Sequence, residues 1–397
     1  MLFPYAPLPP PLDLAGTKRN LPFLLELAKR NEVSVLSFGT PEQEQMFRKS
    51  YGELCQEIRF INRKRPLILN ALELAGLLCR GRSSLGRLYR LSMQRAIKEM
   101  TSARKYDVIH CCTQMFGFFK FPTGIPVSGD AHDVMYDHLL RTARTTTNPI
   151  WKVRAYLDYV FGKKEEINIC RKFNLLTTTT ERDCELFKKA LPNQKFAVVQ
   201  NGVGNTFFKE LHIQPEPFTL AFTGLFTHVP NTQGMLWFLK DIFPLILKQE
   251  PSARVYIVGK NPPRSLLSKD SENIIVTGFV NDVRPYIARS QAFIIPLQAG
   301  GGIRGKALEA MAMRRPIVTT TIGVEGIKLI KEHSALFGDT PEEFARAVIR
   351  LFREPGLRQR IASNAFDTVV KEYNWETKGR ELECCLRALI ESQKKKQ

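Results

Sequence analysis

Short apolar runs alternate with longer amphipathic stretches along almost the whole chain. Runs too short for a helix and rich in Val, Ile, Leu and Phe read as buried strands, and the stretches between them read as helices, so the order predicts βαβ units and parallel sheets. In the first half, strands are expected at Met1–Tyr5, Val33–Phe38, Val108–Cys111, Ile125–Ser128, Leu175–Thr179 and Ala197–Gln200. A first helix is expected from about Thr17 to Arg30, after a proline-rich loop. The helix beginning TERDCELF has Thr180 placed to cap it and Asp183 in its positive first turn.

The stretch 205–218 holds two prolines and little periodicity, and reads as a linker. A second alternating series follows it. Strands are expected at Leu220–Thr223, Arg254–Val258, Asn273–Val276, Ala292–Pro296 and Ile317–Thr320, with helices at Thr232–Gln249 and Arg304–Met313 between them. From Pro341 the pattern is helical, broken near Asn374-Trp375. The expected domains are therefore 1–204, 205–373 and a returning helix with a basic tail, 374–397. Two doubly wound α/β domains present two sets of strand carboxyl ends, and ligands of such sheets bind outside those ends.

Composition changes this picture in one respect. The 397 residues carry a formal net charge of +19, an excess that attracts nucleic acid, acidic lipid or phosphorylated substrates. Much of it lies between Arg59 and Lys105, including Arg63, Lys64, Arg65, Arg80, Arg82, Arg87, Arg90 and Arg95, and more in the tail Lys394-Lys395-Lys396. The stretch 67–104 interleaves apolar and basic residues, which suits an anionic membrane surface. It offers only Tyr89 as a stacking residue, so single-stranded nucleic acid is a poorer fit. Prolines interrupt any signal-peptide core near the start, and no apolar run reaches the roughly 20 residues that span a bilayer. The eight cysteines lack zinc-site spacing and read as thiols of a reducing cytoplasm.

The densest chemistry is PLQAGGGIRGKALEAMAMRRPIVTT, Pro296 to Thr320. A buried strand ends, Gly300, Gly301 and Gly302 let backbone approach a ligand, and a helix begins at once. Its free N–H groups make an anion site. Arg304 and Lys306 oppose the helix dipole there, an arrangement that makes sense with a diphosphate between them. Glu309, five residues after Arg304, is placed to accept from paired ribose hydroxyls. In the first half, His132 follows a strand and stands between Asp130 and Asp133, which read as acceptor-side or supporting carboxylates. Strand ends show no aspartate pair suited to magnesium, so no metal and no cofactor beyond a nucleotide co-substrate is expected.

GGGIRGKALEAMAMRRPIVTT resembles the donor-site signature of family 4 retaining glycosyltransferases, the glycosyl transferases group 1. GDAHDVM, LLTTTTERDCELF, VVQNGV, FTGLFTHVPNTQGMLWFLKDIFP, VYIVGKNPP and VTGFVNDVRPYIARSQAFIIPL resemble its other segments, in the same order. The opening YAPLPPPLDLAGTKRNLPFLLELAKRNEVSVLSF is similar to its first strand, glycine loop and helix, and the nearest likeness is to bacterial exopolysaccharide sugar transferases. The resemblance implies the GT-B architecture: two Rossmann-like domains facing a central cleft, the last helix crossing back to the first. It implies retaining, metal-independent transfer from a nucleotide-diphosphate sugar to a glycan or lipid-linked acceptor, by a cytoplasmic protein peripheral to the membrane. Carried over residue by residue, Glu309 binds the ribose, Arg304 and Lys306 hold the diphosphate, and Gly224, Gly301, Gly302 and Ile303 line the donor. Gly16 approaches sugar and phosphate, Val280 lies beside the base, and His132 sits under the donor sugar as a catalytic group.

Three positions depart from that pattern. Gly301 stands where the family has its first glutamate, eight positions before Glu309. LFTHVPN follows Gly224 where the family has Arg and Lys, and the N-terminal glycine pair is Ala15-Gly16. Arg304 and Lys306 are the cations available to replace the missing pair. Rival readings are a nucleotide-sugar epimerase on the same fold and a non-catalytic basic protein binding membrane or nucleic acid.

Overall fold

The computed structural model describes residues 2–3, 15–62, 91–145, 149–299 and 304–395. They divide into two compact units: Met1–Gln200 with Gly379–Gln397, and Asn201–Lys378.

The first unit is built on a sheet of seven described strands, all parallel: β1 Leu2–Phe3, β2 Ser34–Phe38, β3 Glu57–Ile61, β4 Ile109–Cys111, β5 Val127–Ala131, β6 Leu175–Thr178 and β7 Phe196–Val198. Their spatial order is β3-β2-β1-β4-β5-β6-β7. β2, β4, β5 and β6 are buried on both faces, as sheets covered by helices require. β3 was not anticipated; Glu57 and Arg59 alternate with buried Ile58 and Phe60, as suits its place at the sheet edge. The helix Pro41–Tyr51 before it has a full capping box between Thr40 and Gln43, and Thr180 caps Glu181–Ala190 as expected.

The second unit repeats the plan with β8 Thr219–Thr223, β9 Arg254–Val258, β10 Ile274–Gly278, β11 Ala292–Ile295, β12 Ile317–Thr319 and β13 Leu336–Phe337. These also run parallel, in the order β10-β9-β8-β11-β12-β13. Both sheets thus have the doubly wound order, whose direction of winding reverses between β1 and β4 and again between β8 and β11.

Two expectations are corrected. The stretch 205–218 is not a linker. Val203 already donates to the Tyr373 carbonyl at 2.8 Å, and Phe207 and Phe208 pack on the second core, so the division falls at Gln200/Asn201. The helix expected at Thr232–Gln249 is three pieces: Val229–Trp237, a π-helical turn Phe238–Ile242, and Phe243–Gln249. Pro244 has no N–H to continue an α-helical ladder, and the wide turn absorbs the break.

The expected membrane stretch 67–104 lies outside the described residues as far as residue 90. Its remainder, helix Leu91–Ala103, turns Met93, Ala96, Ile97 and Met100 into the first core, which leaves that apolar face unavailable to lipid. Among the described residues no helix is long and apolar enough to cross a membrane, and Cys55, Cys111, Cys112, Cys170, Cys184, Cys384 and Cys385 are unbridged.

Candidate functional site

The second unit gathers its chemistry at the reversal between β8 and β11. Gly224 follows β8, and its N–H donates to the Val258 carbonyl at the end of β9 at 2.9 Å. Gly259 donates in turn to the Gly278 carbonyl at the end of β10 at 3.0 Å. A Cβ on Gly259 would stand 1.7 Å from the Gly224 carbonyl oxygen, at φ +153°, so only glycine allows this approach. Three strand ends therefore lie abreast with bare backbone.

Lys306 reaches this edge from the first turn of helix Gly305–Ala312. Its ammonium donates to Asn231 Oδ1 at 2.8 Å and stands 3.8 Å from the centroid of the Phe222 ring, a cation–π contact. Asn231 is buried and held by its own donation to the Leu225 carbonyl at 2.8 Å. A Cβ on Gly224 would come within 3.0 Å of both Lys306 Nζ and Asn231 Nδ2. The cation thus occupies the loop after Gly224, where the sequence lacks the Arg and Lys of the resemblance. Burial pushes the Lys306 amine well below the usual lysine range, with help from the charge of Arg304 and against the pull of Glu309. Arg304, buried, is the N-cap residue of the same helix. Two cations in the first turn of one helix, Lys306 held by a neutral amide, are chemistry suited to a compact, multiply charged anion.

Glu309 lies half-buried on that helix. Val280, half-buried, follows β10 after exposed Phe279, whose ring has the Lys260 ammonium 5.7 Å from its centroid. Gly301, Gly302 and Ile303, predicted to line the donor, lie outside the described residues. Asn231, Phe222, Phe279 and Lys260 were missed; the exposed aromatic beside a strand-end glycine was the one available signal.

The first unit holds a different cluster. Asp130, at the end of β5, receives a bidentate contact from Arg19 of helix Ala15–Ala28: Nε to Oδ2 at 2.7 Å, Nη2 to Oδ1 at 2.9 Å. Arg19 also donates to the Val199 carbonyl at 2.8 Å, and Thr177 Oγ1 to Asp130 Oδ1 at 2.7 Å. His132 Nε2 lies 3.2 Å from Asp130 Oδ2, and the imidazole is 24% exposed. Burial alone would raise the Asp130 carboxyl; the Arg19 charge and hydrogen bonds, with those of His132, overturn this and hold it well below the usual range. Asp130, expected on the acceptor side, is buried with its Oδ2 beside the His132 imidazole. Asp133 is apart, its carboxylate 3.8 Å from His138, whose imidazole this contact pushes up. His110, buried against Ser128 Oγ at 3.3 Å, is pushed down to about 4 by burial. Gly16, expected in a loop, lies in the first turn of helix Ala15–Ala28.

Residues 217–354 match the model of the family described as glycosyl transferases group 1. The second unit is a glycosyl transferases group 1 domain. An uncharacterized 44.6 kDa protein in the cps region of Klebsiella pneumoniae is 22% identical over 294 residues, 70% of this chain and 74% of its own. Glycosyltransferase 1 domain-containing protein 1 of Xenopus tropicalis is 28% identical over 147 residues, 35% of this chain and 42% of its own. In fold, the chain is similar to HepE of Anabaena, solved with UDP and glucose (TM-score 0.65, 14% identity, 97% of this chain and 99% of that one). It is similar as well to sucrose-phosphate synthase of Thermosynechococcus elongatus (TM-score 0.63, 14% identity, 98% and 99%). The fold around the group 1 domain is GT-B, with two Rossmann-like sheets.

Proposed function

We propose that the protein transfers a sugar from a nucleotide-diphosphate sugar to a glycan or lipid-linked acceptor in surface-polysaccharide synthesis, with retention and without a metal. The observation that carries the reading is the Lys306 ammonium beside Gly224, held by a neutral amide at the winding reversal of a group 1 domain. In this scheme the bond between the anomeric carbon and the diphosphate breaks while the sugar gathers oxocarbenium character. The diphosphate departs towards Lys306, Arg304 and the N-terminus of helix Gly305–Ala312, whose fixed positive charge replaces a metal ion. The acceptor oxygen bonds to the same face of the sugar, and its proton passes to the leaving phosphate oxygen. Glu309 holds the ribose hydroxyls and Val280 borders the base. His132, fixed by Asp130, contacts the sugar, and Asp133 serves the acceptor side.

UDP is the first donor base to try, since HepE was solved with it. The polysaccharide setting is supported by the cps-region relative. The test is a melting-temperature screen of UDP, GDP, ADP and TDP sugars, because a ligand of the folded state raises its stability by mass action. A cognate sugar should shift the transition, and adding acceptor should release the nucleoside diphosphate even in EDTA. A sugar altered without acceptor would make the protein an epimerase, and silence across the screen would remove the reading.

A further inference from the structure

The helix Pro149–Cys170 has two unlike faces. Inward, Gly162, Glu166, Ile169 and Cys170 are buried, and Glu166 accepts from Gln114 Nε2 and from the Met135 and Tyr136 N–H groups at the start of the preceding helix, Met135–Thr145. Lys163 lies 5.4 Å and 5.9 Å from the centroids of the Tyr136 and Tyr159 rings. Outward, Val153, Tyr156, Leu157, Val160 and Phe161 recur at the three- and four-residue spacing of one helical stripe, and each is between 40% and 62% exposed. These five are a third of the exposed large apolar residues among those described, gathered on one helix. Lys152, Arg154 and Lys164 are exposed around the stripe and Lys163 is partly so, outnumbering Asp158 and Glu165, which are half-buried along one edge.

We propose that this face lies on an anionic lipid surface. An apolar stripe rimmed by lysine and arginine is the form of a helix that beds its apolar side at the headgroup boundary while its cations meet acidic headgroups. Charge selects the occupant. The chain as a whole carries +19, so a second copy brings repulsion to the contact. At about 150 to 200 Å² for a whole large side chain, five half-exposed ones present roughly 400 Å², half of the about 800 Å² each partner gives to a specific interface. The segment 63–90 of this chain sets an apolar run, Leu67 to Cys79, between Arg63, Lys64, Arg65 and Arg80, Arg82, Arg87, Arg90, so its net charge repels the rim while its apolar run does not, and the test includes a variant of it. This surface replaces helix Leu91–Ala103, whose apolar face is spent in the core. The proposal stands apart from the transfer chemistry, because it is read by partition and not by turnover.

The test floats the full-length protein with phosphatidylcholine vesicles, with and without about 30 mol% phosphatidylglycerol, at about 0.1 M salt. The protein should rise with the anionic vesicles only. Leu157→Gln with Val160→Gln, and separately the triple variant Lys152→Glu, Arg154→Glu, Lys164→Glu, should each weaken partition at least ~10-fold with unchanged circular dichroism. Arg80→Glu with Arg82→Glu and Arg87→Glu should weaken it less. The proposal is overturned if wild-type protein stays off anionic vesicles, if both helix variants float as it does, or if the segment 63–90 variant loses more. It is also overturned if the apolar variant instead abolishes a concentration-dependent dimer seen by sedimentation.

Discussion

The same winding serves opposite electrostatic ends in the two units. At the end of β5 the first unit buries a carboxylate and answers it in full: Arg19 forks onto Asp130, and Thr177 and His132 take up its remaining surface. At the end of β8 the second unit brings Lys306 to a neutral acceptor, Asn231, and adds Arg304 on the same helix. A closed ion pair stiffens and positions, and its parts are costly to separate. A lysine held by a neutral amide keeps its attraction for an anion. In the proposed scheme the first cluster positions His132 and the second captures the diphosphate.

The largest effect should come from opening the closed pair. Arg19→Met leaves Asp130 charged and buried, and should cost about 3–5 kcal/mol in denaturant unfolding, with much of the loss recovered when Asp130→Leu is added. Urea curves of the single and double variants check this; equal losses in both would show that the pair does not act as a unit.

Next comes pH. His110 takes up a proton in the unfolded chain near 6.5 but in the folded one only at about 4, so the folded protein binds fewer protons between them. Stability should therefore be full above about pH 6.5 and fall towards pH 4, by at most about 3 kcal/mol from this group. Burial raises Glu166 and Asp183, which act in the opposite sense. The comparison of wild type with His110→Gln isolates the term, since the variant should show the shallower acid slope.

Gly259→Ala should destabilise by about 1–3 kcal/mol, because its Cβ meets the Gly224 carbonyl, and should weaken donor binding with it. The smallest effect on stability sharpens the comparison most. Lys306→Met removes a cation that burial disfavours, so melting should stay level or rise by up to about 1 kcal/mol. A loss as large as that of Arg19→Met would mean the second site is as closed as the first.

Much of the fold was legible because buried parallel strands are short apolar runs, and β8, β9 and β11 fall where the pattern puts them, within a residue. β3 escaped because an edge strand alternates polar and apolar residues, and β13 because two residues make no pattern. The candidate anion site was legible where it is local: Arg304, Lys306 and Glu309 share one segment. Its completion was not, because Asn231 meets Lys306 from 75 residues away, and Arg19 meets Asp130 from 111. Such pairs depend on which strands become neighbours, and no local periodicity records that.

Calorimetric titration of nucleoside diphosphates against the matching nucleosides, in EDTA, measures the cation cluster itself. Wild-type protein should prefer one diphosphate to its nucleoside by at least ~10-fold, and Lys306→Met should erase most of that preference, as loss of a hydrogen bond to a charged group does. A variant that keeps the full preference would contradict the assignment of Lys306, and with it the reading of the second unit.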